Sequence, residues 1–275
     1  MEKNLDEAVK WLRKAAELGH KDAMVKLGEL LSGTEEPSTK LLEKSYREGY
    51  ADGKNGKANK YLSEADIKSA GFVNVKVGDI ITFGNYWQGK NKSAGKQPVE
   101  WQVLDIKDGK ALVISKRCLI NHEYCGSTWE TCTLRNWLDG TFKRAIFSEE
   151  EMKAVMLSDV SADENPIYNT NQGKDTKDKL FLLSIKEVEQ YFVSNEERWC
   201  VPTKYADGRG FCEDDPDFEY GWWWLRSAGF DSVDAARVKY DGSIDCFGTY
   251  VGSLSGLVRP AFWLNLQIYY TISEK

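Results

Sequence analysis

The densest group of residues that could bind a metal lies between positions 118 and 132. It consists of Cys118, His122, Cys125 and Cys132. Three thiolates and one imidazole can hold zinc tetrahedrally, but the two closely spaced ligand pairs of most zinc modules are missing. The neighbouring Ile, Tyr and Trp residues indicate a buried segment, in which cysteine usually acts as a small apolar side chain. We therefore expect reduced, structural thiols here, with zinc as the alternative.

Nucleophilic catalysis would need a general base beside Cys118 or Cys125, and His122 is the candidate. The sequence contains no nucleophile elbow, phosphate-binding loop or His-Glu-x-x-His motif. With 2 His in 275 residues, few groups titrate near neutral pH, which favours a binding protein over an enzyme. An enzyme of unassigned class, with a thiol or metal site near His122, is the alternative.

An acidic run over residues 213–219 could bind calcium through Asp214, Asp215 and Asp217. It lacks the glycine and the terminal glutamate of an EF-hand loop. A solvated loop explains the run equally well, so we expect no cofactor and keep calcium as an alternative.

The most informative residues follow Gly221. Aromatic rings alternate there with short polar side chains and glycines, a mixture typical of adaptable binding surfaces. The alternative is that these segments are strands of an ordinary core, in which aromatic rings fill the interior. The predicted ligand-binding residues are Phe230, Asp231, Ser232, Asp234, Tyr240, Asp245, Phe247, Tyr250, Ser253 and Ser255.

Composition restricts the function classes. Hydrophobic residues make up 41% of the chain, which is enough for an ordered core. The net charge is −6, from 37 basic and 43 acidic residues, and the basic residues are scattered, so we expect no nucleic-acid partner. No apolar run approaches the roughly 20 residues that span a bilayer, and the first residues carry no export signal. We therefore expect no membrane partner and a cytoplasmic location.

The positions of apolar residues divide the chain into two parts. Residues 1–70 show helical spacing, whereas residues 71–275 read mainly as short strands, predicted over 77–83, 99–105, 111–116, 235–240 and 243–246. Helices are predicted over 134–138 and from the capping-box residues Ser148 and Ser184 to Met156 and Phe192. The predicted fold class of the larger part is α+β with mainly antiparallel sheet.

The segment from Ala8 to Gly28, with small residues at Ala15, Ala16, Gly19 and Ala23, resembles the Sel1-like repeat. A degenerate second copy follows around residues 45–53. The resemblance implies a small α-solenoid over residues 1–70. It also implies a further alternative, a scaffold that binds a protein partner through its helical repeats.

Residues from about 75 to 264 resemble the bacterial domain family DUF6273. The resemblance is carried in order by Val77-Gly-Asp-Ile-Ile, Pro98-Val-Glu-Trp101, Leu134-Arg-Asn-Trp137, Pro202-Thr-Lys-Tyr205, Trp222-Trp-Trp-Leu-Arg226 and Val258-Arg-Pro-Ala-Phe-Trp263. The last segments also resemble the C-type-lectin-like fold of formylglycine-generating enzymes and of the variable proteins of diversity-generating retroelements.

The retroelement resemblance implies a fixed scaffold and a variable region over 221–264 that displays the ligand-binding residues listed above. The implied scaffold is Trp223, Leu225, Arg226, Ala235, Ala236, Val238, Gly242, Val258, Arg259 and Trp263. The copper-binding cysteine pair of formylglycine-generating enzymes is not matched, because Cys200, Cys212 and Cys246 are far apart in sequence. We therefore expect a non-enzymatic protein that binds an unidentified protein or glycan.

Overall fold

The structure is a computed structural model that describes residues 75–206 and 219–273. The predicted Sel1-like repeats and the alternative calcium ligands Asp214, Asp215 and Asp217 lie outside the described residues. Within the described ranges, no helix combines the length and the apolar character needed to cross a membrane.

Eleven strands form the framework of the described residues. In chain order they are β1 (Ile80–Trp87), β2 (Lys96–Lys107), β3 (Lys110–Ser115), β4 (Ile120–Asn121), β5 (Ser158–Val160), β6 (Thr176–Asp178), β7 (Trp223–Ala228), β8 (Asp234–Val238), β9 (Ile244–Tyr250), β10 (Leu257–Val258) and β11 (Ala261–Asn265).

The strands form three sheets. The first has the order β1-β2-β3-β11 and is antiparallel throughout. The second has the order β4-β10-β7-β8-β9, in which β10 and β7 are parallel and the other pairs antiparallel. The third is the antiparallel pair β5-β6. Strand β9 is therefore an edge strand of the second sheet.

The helices are short and connect the strands. They are α1 (Thr133–Trp137), α2 (Lys143–Ile146), α3 (Glu151–Ala154), α4 (Ile185–Tyr191), α5 (Asn195–Arg198) and α6 (Leu266–Ser273). A 3-10 turn covers Lys92–Ala94, and a π-helical turn covers Leu138–Phe142.

Tryptophan rings fill much of the core, and their indole N–H groups have partners. Trp101 Nε1 donates to the carbonyl oxygen of Phe83 at 2.7 Å. Trp224 Nε1 donates to the carbonyl oxygen of His122 at 2.9 Å. A buried indole without such a partner would destabilise the fold, so these bonds help to fix how the loops pack on the sheets.

The predicted α+β class with mainly antiparallel sheet is confirmed for the described residues. The predicted hairpin turn at Asp108-Gly109 is also present, since both residues have positive φ, 51° and 71°. The capping box of α4 forms as predicted, with bonds in both directions between Ser184 and Glu187.

The helix predicted from Ser148 to Met156 is wrong in length. Ser148 and Glu151 do exchange capping bonds of 2.8 and 3.2 Å. The helix nevertheless ends at Ala154, because Met156 N–H donates to the carbonyl oxygen of Trp263 at 2.9 Å. Pairing with β11 therefore overrides the local helical preference.

Candidate functional site

The predicted ligand-binding residues lie along the β8–β9 hairpin and in the loops on either side of it. The exposed ones are Phe230, Asp231, Ser232, Tyr240, Phe247 and Tyr250, and the partly exposed ones are Asp234, Asp245, Ser253 and Ser255.

Two phenylalanines form an exposed stacked pair. The ring centroids of Phe230 and Phe247 are 4.9 Å apart and the ring planes are 6° from parallel. Their exposed fractions are 48% and 50%. Tyr168 packs edge-on against both rings, with centroid distances of 5.2 and 5.9 Å. Stacked and edge-to-face contacts are the favoured aromatic geometries, so the three rings form a stable apolar platform.

Main-chain bonds hold the two phenylalanines together. Phe230 N–H donates to the carbonyl oxygen of Phe247 at 2.8 Å, and Gly229 N–H donates to that of Asp234 at 2.8 Å. A Cβ atom on Gly229 would lie 2.4 Å from the carbonyl oxygen of Phe247. Glycine at this position therefore allows the close approach of the loop to β9.

A β-bulge places Phe247 on the surface. The pairing of β8 with β9 steps from Ala235 opposite Thr249 to Arg237 opposite Asp245, so β9 has extra residues opposite Ala236. Gly248, in this bulge, has a φ of +83°. Bulges of this kind bend an edge strand and redirect its side chains.

A loop over residues 161–175 completes the platform, and sequence reasoning missed it. Asn165 Nδ2 donates to the carbonyl oxygens of Ala228 and Cys246, at 2.9 and 2.8 Å. Its Oδ1 accepts from the N–H groups of Ile167 and Tyr168 at 3.0 and 3.2 Å. The buried Asn165 side chain thus ties β7, β9 and the Tyr168 turn together.

Two further side chains attach this loop to the end of β7 and to the loop that follows it. The hydroxyl of Thr170 lies 2.8 Å from the carbonyl oxygens of Gly229 and Phe230. Gln172 Oε1 accepts from Ala228 N–H at 2.8 Å. The Asn, Tyr and Thr residues of this loop belong to the same residue types as the predicted site. No sequence spacing, however, relates them to strands that follow much later in the chain.

Two carboxylates lie close to residues of the aromatic platform. Asp231 follows Phe230 directly, and Asp234 lies opposite Tyr250 in the β8–β9 register. Burial raises the pKa of Asp234, and the nearby carboxyl groups of Asp231 and Asp245 raise it further. Among the described residues, no ion pair joins Asp231 or Asp234 to a lysine or arginine. The platform therefore carries local negative charge.

The charge of Asp245 is compensated. Its Oδ2 atom accepts from Arg237 Nε at 3.0 Å, and its Oδ1 atom accepts from Gly248 N–H at 3.2 Å. The Arg237 guanidinium in turn lies 5.0 Å from the ring centroid of Trp222. Asp245 therefore stabilises the bulge through its bond to Gly248 N–H.

We call the central residues of this region the aromatic-acidic face, defined as Tyr168, Phe230, Asp231, Asp234, Phe247 and Tyr250. Other predicted residues lie apart from this centre. Tyr240 lies in the turn at the opposite end of the β8–β9 hairpin from Asp234. The hydroxyl groups of Ser253 and Ser255 lie 2.9 Å from each other, in the loop that leads to β10.

The predicted scaffold residues are buried with one exception. Trp223, Arg226 and Arg259 are buried, whereas Trp263 is partly exposed. Arg259 Nε donates to the carbonyl oxygen of Ser115 at 3.0 Å, and its guanidinium lies 5.1 Å from the Trp223 ring centroid. Arg259 therefore joins the two large sheets.

Arg226 connects four chain segments. It donates to the carbonyl oxygens of Ser161 and Leu182 at 3.1 and 2.9 Å. It also pairs with Asp163 at 3.2 Å and with Glu187. Although burial opposes ionisation of Asp163, hydrogen bonds and the Arg226 charge hold its pKa below the ordinary value. Arg226 thus anchors the start of the 161–175 loop to β7 and α4.

The alternative zinc ligands do not form a cluster. Among the described residues, no group of three or more His, Cys, Asp or Glu side chains could hold a metal ion. Cys132 caps α1, accepting from Arg135 N–H at 3.4 Å. The His122 ring packs against Trp137 with centroids 4.4 Å apart, and its Nδ1 lies 2.7 Å from the carbonyl oxygen of Glu123.

The thiols near His122 favour the protonated state. Burial raises the pKa of Cys118 well above its ordinary value and that of Cys132 to about 12. The pKa of Cys125 is also raised, by desolvation and by Glu123. A thiolate is the reactive and metal-binding form, so these thiols are poorly prepared for either role.

Comparison with known proteins gives one match. The model of the family described as "Domain of unknown function (DUF6273)" matches residues 108–266, more than half of the 275-residue chain. Strands β1 and β2 precede the matched region, although the sequence resemblance begins at about residue 75. The match includes all of the aromatic-acidic face. No curated protein and no solved structure matches the chain. This chain belongs to the DUF6273 family.

Proposed function

We propose that this protein is a non-enzymatic binding protein whose ligand contacts the aromatic-acidic face. The observation that carries the proposal is the stacked Phe230–Phe247 pair, in which about half of each residue is exposed on a hydrogen-bonded framework. Exposed apolar groups clustered on a surface mark interaction sites. Aromatic rings that are already fixed also lose little conformational entropy when a ligand binds.

Further exposed apolar residues lie on the same hairpin and in nearby loops. Ile167 and Tyr250 have exposed fractions of 67% and 61%, and Leu254 has 70%. Ile167 lies in the loop that carries Tyr168. Tyr250 lies on β9 opposite Asp234, and Leu254 lies in the loop after β9. Their distribution supports a ligand that contacts several loops.

The finer proposal is a C-type-lectin-like scaffold with a variable region over 221–264. Its support is the contrast between buried and exposed positions: the scaffold residues Leu225, Ala235, Ala236 and Val258 are fully buried, whereas the display residues Phe230, Phe247 and Tyr250 are exposed. A near-copy of the coding sequence for this region, differing at adenines and next to a reverse-transcriptase gene, is the expected genomic observation. A coding region without such a copy would contradict diversification.

We also propose that residues 1–70 form Sel1-like repeats that contact a protein partner, and that the protein acts in the cytoplasm. The support is the helical spacing from Ala8 to Gly28. The expected result is that a fragment ending at about residue 70 is helical by circular dichroism. A fragment without helical signal would contradict this proposal.

The binding proposal is tested by selection of ligands from a random dodecapeptide library and a glycan array. Each is performed with the full chain and with the triple variant Phe230→Ala, Phe247→Ala, Tyr250→Ala. A control variant, Val77→Ala, Leu157→Ala, Val193→Ala, removes exposed apolar side chains elsewhere. We expect ligands that bind the wild type and the control at least about tenfold more tightly than the triple variant. Ligands that bind all three proteins equally, or no ligand at all, would contradict the proposal.

A further inference from the structure

We propose that the aromatic-acidic face binds a basic peptide segment of a partner protein, that is, a segment carrying lysine or arginine side chains. This inference rests on the proposed function, because it names the ligand class of the same surface.

The first argument is the charge around the platform. Asp231 and Asp234 follow Phe230 closely in the chain and form no ion pair with a described lysine or arginine, whereas Asp245 is paired with Arg237. Two carboxylates beside an apolar surface attract a cation and repel an anionic ligand. Phosphorylated or otherwise acidic ligands are therefore disfavoured.

The second argument is the aromatic surface itself. The face of an aromatic ring attracts cations, and the attraction increases when water is displaced. The protein already makes this contact elsewhere, since Lys92 Nζ lies 4.3 Å from the Trp87 ring centroid and the Arg237 guanidinium 5.0 Å from that of Trp222. Phe230 and Phe247 are about half exposed, and the ring faces that do not stack on each other offer the same kind of contact near the carboxylates.

The third argument concerns the size of the ligand. Exposed apolar side chains occur on three segments: Ile167 in the 161–175 loop, Tyr250 on β9 and Leu254 in the loop after β9. A small cation would cover only part of this surface. A peptide that presents basic and apolar side chains would contact the carboxylates and the rings together.

The experiment uses the random dodecapeptide library on the full chain. Recovered peptides are labelled with fluorescein and titrated by fluorescence polarisation against two double variants. Asp231→Asn, Asp234→Asn removes charge from the face. Asp159→Asn, Glu149→Gln removes the same charge from exposed positions elsewhere. The matched charge change separates local recognition from the general attraction of an acidic protein for cations.

We expect peptides enriched in lysine and arginine. Their affinity should fall at least about tenfold with the face variant and change less than about twofold with the control. It should also fall as salt is raised, because salt screens exposed charges.

Two outcomes would overturn the charge assignment but leave the binding face intact. The first is recovery of peptides whose affinity depends on Phe230 and Phe247 but which lack basic residues. The second is an equal loss of peptide affinity in both double variants. Glycans that depend on the face, without peptides, would overturn the peptide assignment. If no ligand depends on the face, both this inference and the proposed function fail.

Discussion

Phe230 and Phe247 stack with ring planes 6° from parallel and ring centroids 4.9 Å apart, although the whole of β8 separates them in the chain. The 2.8 Å bond from Phe230 N–H to the carbonyl oxygen of Phe247 shows that the main chain, not only the rings, fixes this contact. The platform therefore depends on the loops and the bulge that position the backbone, and these can be tested one at a time.

The first prediction concerns the side chain that ties the 161–175 loop to the second sheet. Asn165→Ala removes two donated and two accepted hydrogen bonds of a buried amide. We expect a loss of about 2–3 kcal/mol in the free energy of unfolding, because buried main-chain groups lose their partners. Urea unfolding measures this. Asn169, an exposed asparagine in the same loop, provides the control. Asn169→Ala should change the free energy of unfolding by less than about 0.5 kcal/mol.

The second prediction concerns the bulge glycine. Gly248→Ala places a Cβ atom 2.3 Å from the carbonyl oxygen of Ala235, at a φ of +83°. Gly109→Ala creates a similar positive-φ strain, at +71°, but has nothing within 4 Å. We expect a loss of about 1–2 kcal/mol for Gly109→Ala from the backbone alone. Gly248→Ala should cost distinctly more in the same unfolding experiment, and equal losses would show that β9 relaxes around the clash.

The third prediction follows from the carboxyl group between Asp231 and Asp245. Since the folded state raises the pKa of Asp234, this group binds its proton more tightly when folded. Its ionisation therefore destabilises the fold as the pH rises from the ordinary pKa of Asp through the raised value. Asp234→Asn should increase the thermal midpoint at pH 7 and leave it nearly unchanged at pH 3. An unchanged midpoint at both values would mean that the carboxylates are fully solvated.

The fourth prediction concerns the buried guanidinium of Arg226 in β7. Arg226→Ala leaves Asp163 and Glu187 without their cation. We expect a loss of about 3–5 kcal/mol in the free energy of unfolding at neutral pH. Arg144→Ala, at an exposed position, should cost less than about 0.5 kcal/mol.

Part of the loss at Arg226 should depend on pH. The lowered pKa of Asp163 stabilises the fold above the ordinary pKa of Asp, and this contribution is lost as the pH falls through the lowered value. The difference between wild type and Arg226→Ala should therefore shrink in acid. A difference that is constant with pH would assign the loss to packing.

The two hairpins could be predicted from the sequence because they depend on local signals. Alternating apolar residues and the Asp108-Gly109 and Asp241-Gly242 pairs predict the hairpins β2–β3 and β8–β9. The same alternation predicts neither end correctly: β8 ends at Val238 rather than residue 240, and β9 runs to Tyr250 rather than residue 246. The bulge opposite Ala236 interrupts the period of two residues.

The aromatic-acidic face could be predicted only in part from the sequence. The residue types after Gly221 indicate which side chains could be displayed, and Phe230, Phe247 and Tyr250 are exposed. Tyr168 was missed because its position depends on bonds from Asn165 to residues much later in the chain. Long-range contacts of this kind leave no periodicity in a single sequence.

Hydrogen exchange provides the most direct test of the binding face, using a peptide recovered from the dodecapeptide library. We expect slower exchange of the main-chain amides over residues 229–234 and 246–251, with the β2–β3 hairpin unchanged. Protection confined to strands away from the aromatic-acidic face would contradict the account.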